Sequence, residues 1–574
     1  MTKQTAEETL KKLELDFGGN NYSDNPAASR AHYKEYLTDN FPEFVKHHSA
    51  DAISGGGTIP AVNPMLGGEN FHLTTTTAKE GEAILEKGKA AQEVFGKMNI
   101  DDRLDFLKIL QEKITKYADD IKLTITADMG KPVDLTAGEL DKGNAWFKFA
   151  EKEAKKQLEP KYAQNSNMGR DGLGVVQVIG AFNYPYALTI PGIVGGLASG
   201  NSVVVSTPEK APNFIFPLMQ AASEAVAEFT DKHKDKLTKE QANALKDGLM
   251  QYSIGRDPTI SNSADLVHFV GSNETGEKIR KARGDKPTIL EMGGSNVVVV
   301  MNSAIHDQET TPEKAIDKIS KEIYAGFAPA TGQRCTAPQF LLMHDGDALK
   351  VGKALKEMCQ HGPAIGKDGI GNSFSKGTKI GPLVDERAYN DTKEIIGIAQ
   401  QDEYKDLGVK VFGNFDANKG NLPLPKGGRW VNPVVIDLSK AEKDHPKTQE
   451  FINKIKGKEF FAPVLFLLPP IANIHEGVEI AKDIDPHHLA SAIYTDNKDK
   501  YKDKEIFFTE TSAVSKAHNK APKDESPDKP HGHPGGLQIG GSEHFKNYSK
   551  LVKLDRSLDG DRDLVGAGVT GYRR

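Results

Sequence analysis

Apolar residues along the chain follow two rhythms. Between residues 78 and 114 they recur every three or four positions. In "AKEGEAILEKGKAAQEVFGKM" they are Ile84, Leu85, Ala91, Val94 and Phe95, and in "DDRLDFLKILQEKI" they are Leu104, Leu107, Leu110 and Ile114. This spacing predicts two amphipathic helices, the second opened by an acidic first turn. From Gly174 the rhythm changes to short apolar runs separated by helical patterns: "VVQVIGAF", "NSVVVSTP", a helix around "FPLMQAASEAVAEF", "DLVHFVGS", then "TGEKIRKAR". Strands buried on both faces read as continuous apolar runs, and strands alternating with helices predict a parallel α/β sheet. A second series after Glu291 carries "NVVVVMN", "QFLLMHD" and "APVLFLLPP". The segment before residue 62 holds little sustained pattern and closes on the Gly/Pro-rich "SADAISGGGTIPAVNP". The polar "HNKAPKDESPDKPHGHPGG" near the C-terminus reads as a surface insertion.

The residues from Gly172 to Pro208 include no charged side chain, so a membrane span has to be weighed. Asn183, Pro185, Pro191 and scattered glycines interrupt the stretch. It reads better as buried strand, sharp turn, short helix and second buried strand. The chain of 574 residues exceeds what one hydrophobic core holds, about 250–300 residues. Its 37% hydrophobic and 27% charged residues are those of a globular protein. A net charge of −6 gives no clustered basic excess, so neither nucleic acid nor a membrane is an expected partner. Two cysteines fit a reducing compartment, and the polar, acidic N-terminus lacks an apolar core of signal-peptide length. The expected location is cytoplasmic.

One of those cysteines, Cys335, lies in "GFAPATGQRCTAPQF", a loop of small residues where a backbone can bend and a thiolate can meet a substrate. An isolated cysteine is more often a small buried hydrophobe. Cys359, on a helical pattern, has that look. Glu291 in "TILEMGGSNVVVV" precedes two glycines and a buried strand, which suits either a general base or a paired, capping carboxylate. In "HFVGSNETGEKIRKA", Gly271 and Ser272 turn a strand and Gly276 opens a helix, aiming backbone N–H groups above the sheet. Glu209 follows a strand where a cofactor-binding sheet presents an acid to ribose. "HGHP" and "PHH" have no second ligand pair at metal spacing, so no metal site is expected.

Taken in order, nine stretches resemble the aldehyde dehydrogenase superfamily: "IGAFNYPYAL", "LASGNSVVVSTPE", "FVGSNETG", "LEMGGSN", "ATGQRCT", "IGPLVDERA", "GRWVNPVVI", "KEFFAPVLF" and "LASAIYTDN". The resemblance runs from about Val62 to about residue 555 and implies an α/β fold with three parts. These are a Rossmann-like cofactor domain (62–290), an α/β catalytic domain (291–515) and a small β oligomerisation element. That element joins strands near 156–173 to one near 549–556, within a C-terminal segment at 537–574. An N-terminal extension (1–61) and a polar insertion (516–536) complete the chain, and a homodimer or homotetramer is expected.

The resemblance also implies roles. Cys335 attacks an aldehyde, Asn183 and the Cys335 N–H hold the oxyanion, and Glu291 activates the deacylating water. Gly271, Ser272 and Gly276 form the cofactor turn. Glu459 and Phe461 serve the nicotinamide end, and Glu209 takes the adenine ribose, favouring NAD while leaving NADP possible. Ser206 stands where the family carries a ribose-binding lysine, which bears on cofactor choice. Ala181-Phe182 replaces the family's Pro-Trp before Asn183, and "HPGGLQIGGSEHFKNYSKL" follows the family's C-terminal segment loosely. A CoA-acylating relative would lack Glu291. A catalytically silent one would not need Cys335, Asn183 and Glu291 together.

Overall fold

In a computed structural model of the chain, residues 4–553 are described, apart from 17–25, 49–56, 66–67, 160, 164–165, 257, 308–309, 385, 420–423, 425–427, 497, 499–501, 523–526 and 528–538. Two sheets organise the molecule. The first has five parallel strands in the order Met250–Ile254, Ser202–Thr207, Val175–Ile179, Leu266–Gly271 and Thr288–Met292. Helices cover its faces, among them Ala78–Phe95, Ile190–Ala198, Ile215–Lys232 and Asn273–Arg283. The stretch between Gly172 and Pro208 is therefore strand, turn, helix and strand. Among the described residues no helix is long and apolar enough to cross a membrane.

The second sheet has seven strands, in the order Lys410–Phe412, Val434–Asp437, Val464–Leu467, Phe340–Met343, Val297–Val300, Ala490–Tyr494 and Ser515–His518. All pairs are parallel except the first, at the edge. Two expected boundaries shift here. Glu291 sits inside the last strand of the first sheet, paired with Val270, so a division at 291 would cut a strand. The second sheet starts at Val297 and runs on to His518, past the expected edge at 515, because Ala490–Tyr494 accepts one more parallel neighbour. Of the polar insertion at 516–536, residues 523–526 and 528–536 lie outside the described part, as does the C-terminal segment beyond 553.

Three strands stand apart in the order Ser549–Lys553, Ser166–Gly172 and Lys161–Ala163, all antiparallel. They occupy the two regions expected for the oligomerisation element. The N-terminal region holds three helices that the sequence pattern did not announce, Ala6–Asp16, Pro26–Asn40 and Pro42–His48. Tyr33, Tyr36, Leu37 and Phe41 are buried and join the main core. Their spacing is helical, but the face is made largely of tyrosines whose hydroxyls need partners. Tyr33 donates to Asp128 (3.0 Å) and Tyr36 to Asp120. Asp128 also accepts from the Asn213 backbone N–H and side-chain amide, each at 2.7 Å. Burial nevertheless pushes its acid up to about 7.

Replacing Tyr33 by Phe removes one donor from this buried carboxyl. The expected loss is about 1.5–3 kcal/mol, the range for a hydrogen bond to a charged group. A urea unfolding curve with an unchanged slope and a lower midpoint checks it.

Candidate active site

The helix Pro312–Phe327 leads into the cysteine loop. Ala330, Thr331 and Gly332 then take left-handed backbone angles (φ 55°, 58° and 69°), which turn the chain sharply. Left-handed non-glycine residues persist only where their surroundings hold them. Here the Ala330 N–H donates to Lys379 O (2.9 Å) and the Thr331 hydroxyl to Gly381 O (2.8 Å). Gly332 is required on two counts, its positive φ and a Cβ that would collide with the backbone of Ala462 and Pro463. The Arg334 guanidinium donates back to Ala325 O (3.0 Å) and Gly326 O (2.6 Å), tying the loop to the helix it left.

Cys335 follows, partly exposed, with its carbonyl accepting from the Asn296 amide at 2.6 Å. Cys359 differs as its sequence context suggested. It is buried in the helix Leu349–His361, and burial pushes its thiol up to about 12.

Asn183 begins the turn after Val175–Ile179 and is 2% exposed. One of its amide hydrogens goes to Gln333 O (3.0 Å), two residues before the cysteine, and an amide has a second to give. The next residue, Tyr184, lies within electrostatic reach of Cys335. Glu291 is buried (2% exposed) and shares a sheet face with His268, Val270 and Ile289 on two paired strands. Its charge reaches Tyr548, whose hydroxyl is pushed well up, chiefly by burial, and shares a 2.5 Å hydrogen bond with His268 Nδ1.

The residues expected around a cofactor are distributed as follows. Gly271 ends its strand. Ser272, rather than Gly276, opens the helix Asn273–Arg283, its hydroxyl accepting from the Thr275 N–H (3.3 Å). Gly276 lies in the first turn, where a Cβ would strike Met292, so its smallness serves helix-to-strand packing. Glu209 is partly exposed and paired with Arg256 at 2.7 Å. Ser206 departs from expectation. It is 4% exposed, and its hydroxyl is shared with Gln177 (2.8 Å) and Ser253 (2.7 Å), inside the sheet.

Glu459 presses against Gly293, just beyond Glu291. Its Oε1 is sealed and has no hydrogen-bond partner among the described residues. Burial, with Asp485 second, pushes its acid up to about 8. The Phe461 ring lies 5.7 Å from that of Phe182, and Lys210 reaches to 5.0 Å over Phe182. Contacts therefore link the asparagine, cysteine, glutamate and "KEFFAPV" segments around one centre. A partnerless buried carboxyl oxygen and a capped helix N-terminus, which meet at Gly293, suit a dinucleotide's hydroxyls and phosphates, so these residues fit that group. No group of His, Cys, Asp and Glu among the described residues is arranged to hold a metal ion.

The model of the aldehyde dehydrogenase family matches residues 52–532. The chain belongs to that family. Members oxidise an aldehyde to the carboxylic acid with NAD or NADP, and that is this enzyme's reaction class. It is similar to the alpha-ketoglutarate semialdehyde dehydrogenase of Haloferax volcanii, 26% identical over 68% of this chain and 73% of that protein. The NADP-dependent glyceraldehyde-3-phosphate dehydrogenase of Streptococcus equinus is 22% identical over 76% and 82%. Among solved structures, an aldehyde dehydrogenase from Brucella melitensis biovar abortus aligns with a TM-score of 0.71 at 20% identity, covering 88% of this chain and 94% of that one. The glyceraldehyde-3-phosphate dehydrogenase of Methanocaldococcus jannaschii complexed with NADP aligns at 0.69 and 19% identity, covering 88% and 99%.

Sequence reading missed several residues that shape this enzyme's site. Arg256 carries no motif and is found only by its pairing with Glu209. Lys131, Glu139 and Asn296 look like ordinary surface or turn residues until the fold buries them. On this geometry, iodoacetamide at pH 7 should label Cys335 and spare Cys359, read by peptide mass. Labelling of Cys359 at a comparable rate would contradict its burial.

Proposed function

We propose that Cys335 is the nucleophile of the oxidation and Glu291 the base of its second half. The observation that carries this is the convergence on Cys335. Its loop is held by Gly332 against Ala462–Pro463, its neighbour Gln333 accepts the Asn183 amide, and its carbonyl is pinned by Asn296. The thiolate Sγ bonds to the aldehyde carbon, and the carbonyl pair moves onto oxygen. The free Asn183 N–H and the Cys335 backbone N–H hold that oxyanion; one such donor commonly contributes about 10²–10³ in rate. A nicotinamide held here would supply the acceptor for the hydride that leaves the same carbon. Cys335 is left as a thioester. Glu291 then takes a proton from water, the water oxygen bonds to the acyl carbon, the C–S bond breaks, and the thiolate returns as the acid departs.

Glu459 would hold the nicotinamide ribose and Phe461 would pack at that end, while Ser272 and the following N–H groups would face the pyrophosphate. Glu209 would take the adenine ribose. Arg256 changes that last expectation, because its guanidinium offsets the repulsion a carboxylate gives a 2′-phosphate. We assign the enzyme use of both cofactors, with Arg256 supporting NADP. The strands Ser549–Lys553, Ser166–Gly172 and Lys161–Ala163 present edges that a second subunit would cover in a dimer or tetramer.

Reduction of NAD and of NADP by purified protein, without CoA, over acetaldehyde, octanal, benzaldehyde and succinic semialdehyde tests the reading. Cys335→Ala should abolish turnover and Cys359→Ala leave it near wild type; equal loss in both would remove Cys335 from the role. Glu291→Gln should keep the first turnover of reduced cofactor and lose the steady state. Arg256→Ala should weaken NADP about tenfold more than NAD, the size of one charge-assisted contact. Equal change for both cofactors would place Arg256 away from the 2′ position. Ser206→Lys, which must bury an ammonium among Gln177 and Ser253, should destabilise the protein without tightening either cofactor.

A further inference from the structure

We propose that the buried ion pair Lys131–Glu139 positions Asn183, holding its loop so that the amide faces the carbonyl oxygen bound at Cys335. The inference rests on the roles given above to Asn183 and Cys335. Lys131 lies between the helices Ala118–Met129 and Val133–Leu158, and Glu139 lies on the second. The two charges meet at 2.7 Å with neither side chain exposed. Nothing sealed in this way touches an aldehyde directly. A buried pair is also a poor source of stability, since well-packed apolar residues often serve as well or better.

The remaining capacity of the pair goes to one short loop. The ammonium donates to the Asn183 carbonyl (3.1 Å) and sits 3.2 Å from the centre of the Tyr184 ring. Glu139 Oε1 accepts from the backbone N–H groups of Tyr186 (2.8 Å) and Ala187 (3.1 Å). Four of five consecutive residues are thus clasped by two side chains. The same helix receives the Tyr186 ring against Gly143, with its hydroxyl donating to Asn144 at 2.6 Å. From this fixed backbone the Asn183 side chain extends to Gln333 O in the cysteine loop. Burial pulls the ammonium down to about 8 while Glu139 opposes it. A misplacement near 1 Å in such a site costs about 10²-fold in rate, so a loosened loop should show in the acyl-forming step.

The test compares Lys131→Met, Asn183→Ala and the double variant in single-turnover formation of reduced cofactor. The aldehyde is whichever of butanal, benzaldehyde and succinic semialdehyde the wild type turns over. Lys131→Met should slow that step ten- to a hundredfold, while cofactor affinity and iodoacetamide labelling of Cys335 stay unchanged. The double variant should be no slower than Asn183→Ala alone, because both changes remove one oxyanion contact. If Lys131→Met slows the Asn183→Ala enzyme as much as it slows the wild type, the pair does not act through Asn183 and the proposal fails. It fails equally if Lys131→Met slows the step only together with lost cofactor affinity and lost Cys335 labelling, the signature of a merely structural pair. Wild-type rate in Asn183→Ala alone would instead sink the oxyanion role of Asn183, and the positioning role with it. Should Lys131→Met not fold, Glu139→Gln, which keeps an acceptor and removes the charge, is read against the same outcomes.

Discussion

The candidate site depends on how closely two stretches of backbone approach at Gly332. The residue packs onto the main chain of Ala462 and Pro463, with no room for a Cβ between them. That approach sets the distance between the loop bearing Cys335 and the segment bearing Glu459 and Phe461. It also explains the two left-handed residues before it, since Ala330 and Thr331 must turn the chain for the approach to occur. Their strain is offset by hydrogen bonds to Lys379 and Gly381, so the short segment from 379 to 381 supports the site without reaching it. Cys335 thus stands on a loop whose position is fixed by main-chain contacts, with side chains adding direction.

The two sheets divide the chemistry. Glu291, Asn183, Glu209 and Ser272 lie in or just after strands of the five-stranded sheet, and Cys335, Glu459 and Phe461 precede strands of the seven-stranded one. The proposed cofactor contacts and the proposed nucleophile thus come from different sheets, apart from Glu459 and Phe461. A boundary at Glu291 cuts the five-stranded sheet, because the backbone of Glu291 is paired with Val270.

Much of this was legible in the sequence. Buried strands declare themselves through runs such as "VVVV" and "FLLM", and the cysteine and glutamate motifs fall where loops leave or enter those strands. What was hidden shares one cause, the use of polar residues in buried roles. The N-terminal helices dock through Tyr33 and Tyr36, whose hydroxyls reach Asp128 and Asp120 more than eighty residues away. Lys131 and Glu139 look solvated in "MGKPVDLTAGELDKG", and only contact with the loop after Asn183 shows that they are not. Ser206 is the converse case. Its place in a motif suggested a ligand contact, while Gln177 and Ser253 claim its hydroxyl within the sheet.

The pairing of Ser549–Lys553 with Ser166–Gly172 has a consequence for how the chain is made. Arg170 and Ser549 are hydrogen-bonded although 379 residues separate them. Chains emerge from synthesis N-terminus first, and contacts of high sequence separation form slowly because the loop-closure entropy comes before the reward. The Ser166–Gly172 strand must therefore wait, with one edge open, until residues 549–553 have been made. During that interval it is an unpaired template for a neighbouring nascent chain. A nascent chain that halts before Ser549 has its cysteine loop complete and this edge uncovered, open to pairing with another chain.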